Sequence, residues 1–409
     1  MLLKQDGSVW STDVSLTGVR NNFAMILSRG AIAIACRNHY SLVIGQDGNV
    51  WITGKNSRLG DGSQTSENEL SFLQKIPFAV AAYSGEHHSM VLTQYGFVWT
   101  AGWNKYGQLG DGSTIDRNNF FAVISSGRMV MSGATGDFHS IVLRRDGTVL
   151  ATGRNHNGQL GDGSKTDRSR FVEVVYSDAI DRIKTMSTGA TAVAAGGYHS
   201  LILHQHGSVW ATGWNQYGQL GDGTIIDSFV YKQVVSSGTI AVAAGSRHSM
   251  ILKQDGSVWA TGWNEYGQLG DGTTKDKINY MQVLPNGAKA IAAGSRHSMI
   301  LKQDGSVWAA GYNLYGQLGD GWTHNTYNFV EVISDGVQAV AAGGIHSMIA
   351  KQDGSIWATG SNEYAQYGDG STTSEKFFVK ILSFGNGVRR DDLRIDISLT
   401  PRSCLHPLC

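Results

Sequence analysis

Runs of five or six apolar or β-branched residues, each closed by glycine or Asp-Gly, succeed one another along most of this chain and return in the same order with a period of 49 residues. In the unit covering residues 289–333 the first two runs, 289–294 and 297–301, are parted only by Ser295-Arg296. Asp304-Gly305 then separates the second run from a third at 306–311. That spacing predicts a β-hairpin with a type I′ turn, because glycine tolerates positive φ. The glycine-rich stretch 313–321 reads as a compact loop, and residues 328–333 supply a fourth strand. Polar and apolar positions do not alternate cleanly within the runs, as Val258 beside Trp259 illustrates, so both sheet faces are expected to be covered. Each unit is thus a four-stranded antiparallel sheet that cannot bury its own faces and has to stack on its copies.

His-Ser pairs fix the register of the copies. They begin at His39 (split from Ser41 by Tyr40), His88, His139, His199, His248, His297 and His346. Residues 246–272 and 295–321 agree at 24 of 27 positions. Four-stranded sheets repeated in this way around an axis make a β-propeller, which leaves only short, protected strand edges. The 53 glycines supply the turns, and the 4 prolines leave the ladders unbroken. Seven blades are expected, with residues 1–27 helping to close the ring. Eight D-G-x-V-W-type strands (Trp10, Trp51, Trp99, Leu150, Trp210, Trp259, Trp308, Trp357) keep an eighth blade, completed by residues 388–398, as the alternative. The propeller is expected over residues 1–384, with an irregular tail at 385–409.

Composition narrows the function classes. Lys+Arg and Asp+Glu balance at 33 each, so no global charge favours direct binding of nucleic acid or an anionic membrane. Cys36, Cys404 and Cys409 make neither a disulfide framework nor a paired metal-ligand spacing, which fits an intracellular, reducing compartment in cytoplasm or nucleus. No apolar run approaches the length of a membrane span, and the chain reads as soluble.

The motifs G-x-x-H-S, D-G-S-V-W and G-W-N-x-Y-G-Q-L-G-D-G resemble the repeats of the regulator of chromosome condensation family, over residues 1 to about 382. The resemblance implies a seven-bladed propeller. It leaves function open, because members of that family include an exchange factor for a small nuclear GTPase, a plant ultraviolet-B photoreceptor and propellers joined to ubiquitin ligases. In the photoreceptor the working tryptophans occupy a G-W-R-H-T motif. The matching positions here are Ser246 and Ser295, so a light-sensing role loses its main support.

Histidines at equivalent positions of separate blades are too far apart to converge on one ion, so they read as structural hydrogen-bonding groups. The G-D-G-[ST]-x-x-D segments, such as Asp271 to Asp276, lack the alternating acidic ligands of an EF-hand and read as Asp-Gly turns. No catalytic motif appears, and neither enzyme activity nor a cofactor or metal is expected. The tryptophans of D-G-S-V-W and G-W-N read as packing between blades. A ten-residue insertion at 176–190 reads as a surface loop.

What varies inside a constant frame marks the binding surface. The two residues within each G-x-x-H turn change from unit to unit, and these turns fall on one rim. Arg37, Asn38, Glu86, Asp137, Phe138, Tyr198, Arg247, Arg296 and Ile345 are the candidate partner-binding residues. Arginine and aromatic side chains of this kind are enriched where proteins meet. The expected function is a non-catalytic scaffold that binds a protein partner through one face; the alternative is guanine-nucleotide exchange on a small Ras-like GTPase.

Overall fold

The computed structural model describes residues 71–125, 129–177, 189–353, 355–364, 366–367 and 371–382, together with the strands Leu2–Leu3, Val9–Thr12, Phe23–Leu27, Ala31–Arg37, Tyr40–Gly45, Asn49–Gly54 and Ile183–Lys184. Among these residues all regular structure is β. Seven sheets repeat one order, each opening on an innermost strand: Ala31–Arg37, Ala79–Ser84, Val130–Thr135, Ala190–Ala195, Thr239–Ala244, Ala288–Ala293 and Val337–Ala342. These innermost strands pack on one another from each sheet to the next, which is the arrangement of propeller blades around an axis. Leu2–Leu3, Val9–Thr12 and Phe23–Leu27 form a further three-stranded sheet, and Leu2–Leu3 lies beside Glu375–Leu382 of the last blade. Residues 388–398, the candidate closing strand, and the tail from 385 lie outside the described residues.

One blade shows how sequence sets this geometry. Thr239–Ala244, His248–Lys253, Val258–Gly262 and Lys277–Leu284 pair antiparallel in chain order. Alanines dominate the innermost strand, and their small side chains let neighbouring blades converge near the axis. The second and third strands are buried along most of their length, as expected from their poor alternation. Between blades, Leu201, Leu203 and Val209 of one sheet meet Val242 and Ile251 of the next, and Trp259 closes over the same cluster. Fully burying each such side chain contributes about 2 kcal/mol.

The hairpin turns differ from the expected type. Gly256 and Gly305 do have positive φ, at 78° and 86°, but among the described residues Phe78 is the one non-glycine in that region, so Asp255 and Asp304 are not. A type I′ turn needs both central residues there. Instead the amide of Gly256 donates to the carbonyl of Lys253 at 3.0 Å and the amide of Lys253 to the carbonyl of Ser257 at 2.9 Å. This is a type I turn followed by a left-handed glycine, with the aspartate capping the amide of Ser257 at 2.9 Å.

The insertion also departs from expectation. Tyr176–Ser177 adds to the outermost strand Ser228–Val235 in parallel, and Ile183–Lys184 pairs with Tyr176–Ser177, widening that blade to six strands. Tyr176 is 1% exposed, packed against Trp210, Tyr231 and His204. The segment therefore begins as core.

Candidate functional site

Antiparallel strands alternate ends, so the turn from first to second strand and the loop from third to fourth share one face. A hydrogen bond locks the two together in six blades: the second variable residue of the G-x-x-H turn accepts, through its carbonyl, from the amide of the residue before the loop asparagine. Arg247 and Trp263 are joined this way at 3.0 Å, and His87 with Trp103, Phe138 with Arg154, Tyr198 with Trp214, Arg296 with Tyr312 and Ile345 with Ser361 at 2.9 Å. Each of these blades thus sets a turn residue beside a loop residue, and the combination of the two changes around the ring.

The loop that carries the second member is rigid by construction. Asn264 donates to Asp271 at 2.9 Å and to the carbonyls of Thr273 and Lys275, while its own carbonyl oxygen accepts from the amide of Leu269 at 3.0 Å. Lys277 reaches Asp271 at 3.0 Å. Burial pushes the Asp271 carboxyl upward, but hydrogen bonds from Lys277, Thr273 and Asn264 outweigh it and hold the group below the usual carboxylate range. Asn104, Asn155 and Asn215 repeat the arrangement with Asp111, Asp162 and Asp222. These aspartates cap their own turns, as Asp222 does by accepting from Asn215 and from the amide and hydroxyl of Thr224.

Beneath the rim the histidines link blades. His88, His139, His199, His248 and His297 each place Nε2 within 2.8–2.9 Å of a serine Oγ on the following blade. That serine donates to a glutamine carbonyl in the loop of the histidine's own blade, as Ser298 does to Gln268 at 2.7 Å. With the hydroxyl proton so committed, the imidazole is the donor. Burial, with a smaller contribution from neighbouring histidines, lowers His199, His248 and His297 to about 3, so all three are neutral at physiological pH.

The variable pairs join into one surface. Trp103, Tyr106, Phe138, Tyr198, Trp214, Tyr217, Trp263, Tyr266 and Tyr312 follow one another across five blades with ring centroids 4.9–5.9 Å apart. Three guanidinium groups lie against this arc. Arg154 stands 4.9 Å from the ring of Tyr106 and 5.5 Å from those of Phe138 and Tyr198. Arg247 is held between Trp263, Trp214 and Tyr217 at 4.9–5.5 Å, and Arg296 between Tyr312 and Tyr266 at 5.5–5.6 Å. Among the described residues no carboxylate pairs with any of the three. Acidic groups gather at one end instead. Burial raises the Tyr198 hydroxyl, and the charges of Asp137 and Glu86 raise it further.

Of the residues expected from the sequence, the structure brings Phe138, Tyr198, Arg247 and Arg296 into the arc, with Asp137 and Glu86 near its acidic end. Ile345 faces Ser361 on the next blade position, where neither side chain is aromatic, and there the arc stops. Asn38 and the side chain of Arg37 lie outside the described residues. The tryptophans divide. Those of D-G-S-V-W pack between blades as expected, with Trp259, Trp308 and Trp357 each on a neighbouring cluster. Those of G-W-N also meet rings of a neighbouring blade, Trp103 with Phe138 and Trp263 with Tyr217, but they do so at the rim, where Trp214 joins them. Arg154 was not among the expected residues; it holds the position that carries tryptophan in three other units.

Regulator of chromosome condensation (RCC1) repeat models match residues 95–143, 206–252 and 255–301, and a second model of the same repeat matches 132–159, 190–219, 240–268 and 288–317. The chain belongs to the RCC1 repeat family. The ultraviolet-B receptor UVR8 of Arabidopsis thaliana is 30% identical over 188 residues, 45% of this chain and 41% of the receptor. The chain therefore aligns with less than half of that relative. Among solved structures, human WBSCR16 superposes with a TM-score of 0.67 at 22% identity, covering 83% of this chain and 93% of that one. Prp20p of Saccharomyces cerevisiae gives 0.64 at 20% identity, covering 84% and 91%. At these identities the two structures establish the RCC1-type propeller fold alone.

Proposed function

We propose that this RCC1-repeat propeller is a non-catalytic interaction module that binds a protein partner through the rim of paired turn and loop residues. One observation carries the reading: three guanidinium groups lie 4.9–5.6 Å from aromatic ring centroids of adjacent blades and, among the described residues, pair with no carboxylate. A guanidinium beside aromatic rings keeps a planar fork of N–H donors suited to bidentate hydrogen bonds with carboxylates on a partner, although at Arg154 the Nε–H is itself buried. The buried histidines and capped aspartates are committed to structure, which supports binding over chemistry at this face. The binding of Prp20p to Gsp1p and histones, named with its structure, supports a protein as the ligand class. The test is affinity capture with the parent chain, followed by measured affinity of each captured protein for an Arg247→Ala/Arg296→Ala variant of unchanged melting temperature. Loss of about tenfold or more is expected, since true arginine hot spots contribute about 2 kcal/mol. Affinity within about twofold removes the rim from the interface. Capture of a small GTPase whose nucleotide release the chain accelerates would turn the reading to nucleotide exchange.

A further inference from the structure

On the face opposite the rim, two adjacent blades carry a large apolar residue, Phe78 or Met129, at the linker position that is glycine in their sisters, and the first of them also changes its hairpin turn. Sister blades carry Gln-Asp-Gly-Ser between second and third strands, at 254–257, 303–306 and 352–355. The blade of residues 79–124 has Gln94-Tyr95-Gly96-Phe97 instead. Its aspartate cap is gone, and Thr93 Oγ1 takes over the amide of Phe97 at 3.0 Å. The linker beneath this hairpin changes too. In sister blades the glutamine amide donates to the carbonyl of Gly238, Gly287 or Gly336; here Gln94 donates to Phe78, and on the next blade Arg145 donates to Met129, both at 2.8 Å.

Folding does not call for these side chains. At Gly238, Gly287 and Gly336 a Cβ would meet nothing within 4 Å, so the position looks into solvent. Phe78 occupies it with φ of 63°, a left-handed backbone that suits glycine and strains a bulky residue. It is 55% exposed, with Tyr95 at 50%, Met129 at 47% and Phe97 at 37%. Phe78 meets Tyr95 edge to face at 5.0 Å, and Tyr95 lies 6.3 Å from Phe97. The backbone of Met129 lies against Gly96, which sets its exposed side chain on the same face beside the three rings. At the border of this apolar patch stands Arg145, where sister blades have the neutral Gln254, Gln303 and Gln352. Arg144 is paired with Asp146 at 2.8 Å, whereas among the described residues no carboxylate pairs with Arg145.

We infer that this patch is a second docking surface, taking a short segment of a partner protein that presents large apolar anchors beside a carboxylate. The three rings and Met129 receive the anchors, and the free guanidinium of Arg145 selects the acidic neighbour. Because the patch and the rim lie at opposite ends of the strands, the chain can hold two partners at once.

A variant that rewrites the departure as its sister blades tests this. Phe78→Gly, Tyr95→Asp and Phe97→Ser together restore the glycine and the aspartate cap, so the triple variant folds and melts no lower than its parent. The probes are three fluorescein-labelled synthetic peptide pools in which Leu, Phe and Trp anchors alternate with Asp, with Lys or with Ser. Binding is read by anisotropy in an Arg247→Ala/Arg296→Ala background, so that the rim does not contribute. The Asp pool is expected to bind best, to lose about tenfold in the triple variant, and to lose its advantage over the Ser pool in Arg145→Gln. Equal binding by parent and triple variant overturns the site, and preference for the Lys pool overturns the partner chemistry. Self-association of the parent in sedimentation, abolished in the triple variant, assigns the patch to a second copy and also overturns the inference.

Discussion

Nε2 of His248 stands 2.9 Å from Oγ of Ser298 on the following blade, and that hydroxyl passes its own proton back to the carbonyl of Gln268 at 2.7 Å. All three groups are fully buried. Ser298→Ala therefore strands one donor and one acceptor between two blades, at about 1–3 kcal/mol for each group left unsatisfied. A double-mutant cycle with His248→Ala is expected to show coupling above about 1 kcal/mol in chemical denaturation. Additive effects would mean that the bond does not join the blades energetically.

Acid should weaken the ring through the same histidines. Burial lowers His199, His248 and His297 from 6.5 to about 3, so between these values the unfolded chain binds protons that the folded chain refuses. Stability is then complete above pH 6.5 and falls as pH drops toward 3, by about 1.4 kcal/mol per pH unit for each histidine. The expected observation is a urea midpoint that declines steadily from pH 7 to pH 4, with a shallower decline in His248→Gln. An identical slope for parent and variant would show that His248 titrates normally in the fold.

Much of this architecture was legible because the repeat reports strand ends directly: Asp-Gly and Gly-x-x-His occur where the chain reverses, and the observed strands His297–Lys302 and Val307–Gly311 differ from the expected runs by a residue. The turn type was not legible, since Asp-Gly suits both a type I′ turn and a type I turn with a left-handed glycine. Only the hydrogen bond from Gly256 to Lys253 decides between them. The rim was half legible. Variation in the G-x-x-H turn exposed Arg247 and Arg296, but Trp214 and Trp263 lie far from them in sequence and looked like packing residues. Tyr176 was hidden because nothing in the sequence says that an inserted strand will add to an outer edge.

Glycines of the two kinds of turn should respond differently to a methyl group. A Cβ on Gly287, with φ of 82°, would meet nothing within 4 Å, so Gly287→Ala costs only its backbone strain, about 1 kcal/mol. A Cβ on Gly245 would lie 2.5 Å from His248 Nδ1 and 2.5 Å from the carbonyl oxygen of Gly294, with no room for either to retreat. Gly245→Ala should cost about 3 kcal/mol or more, by overpacking the junction of two blades. Equal melting temperatures for the two variants would contradict the close approach at Gly245.

Tyr176 gives the insertion a measurable role. Its ring fills the space between Trp210, Tyr231 and His204, while its buried hydroxyl has no hydrogen-bond partner among the described residues. Tyr176→Ala is expected to cost about 3–5 kcal/mol through the cavity it leaves, and Tyr176→Phe to cost nothing or to stabilise. Calorimetry of both variants checks this. A silent Tyr176→Ala would return the whole segment to the surface.

Arg247→Lys separates stacking from charge at the rim. The guanidinium of Arg247 lies 4.9 Å from the ring of Trp263 and 5.5 Å from those of Trp214 and Tyr217, with Nη1 3.5 Å from the Tyr217 hydroxyl. A plane fits between such rings and keeps its N–H edges fixed toward a partner. An ammonium on a flexible stem keeps the charge but neither stacks nor offers two parallel donors. If the rim binds as proposed, Arg247→Lys loses nearly as much affinity as Arg247→Ala, about 2 kcal/mol or roughly thirtyfold, because the aromatic clamp is what presents the arginine. Fold stability should change by less than about 1 kcal/mol in either variant, the value of an exposed cation–π contact. Titration calorimetry against a captured partner, at two salt concentrations, reads both quantities. Full affinity in Arg247→Lys would show that the rim contributes charge alone and that the ring arc is scaffolding.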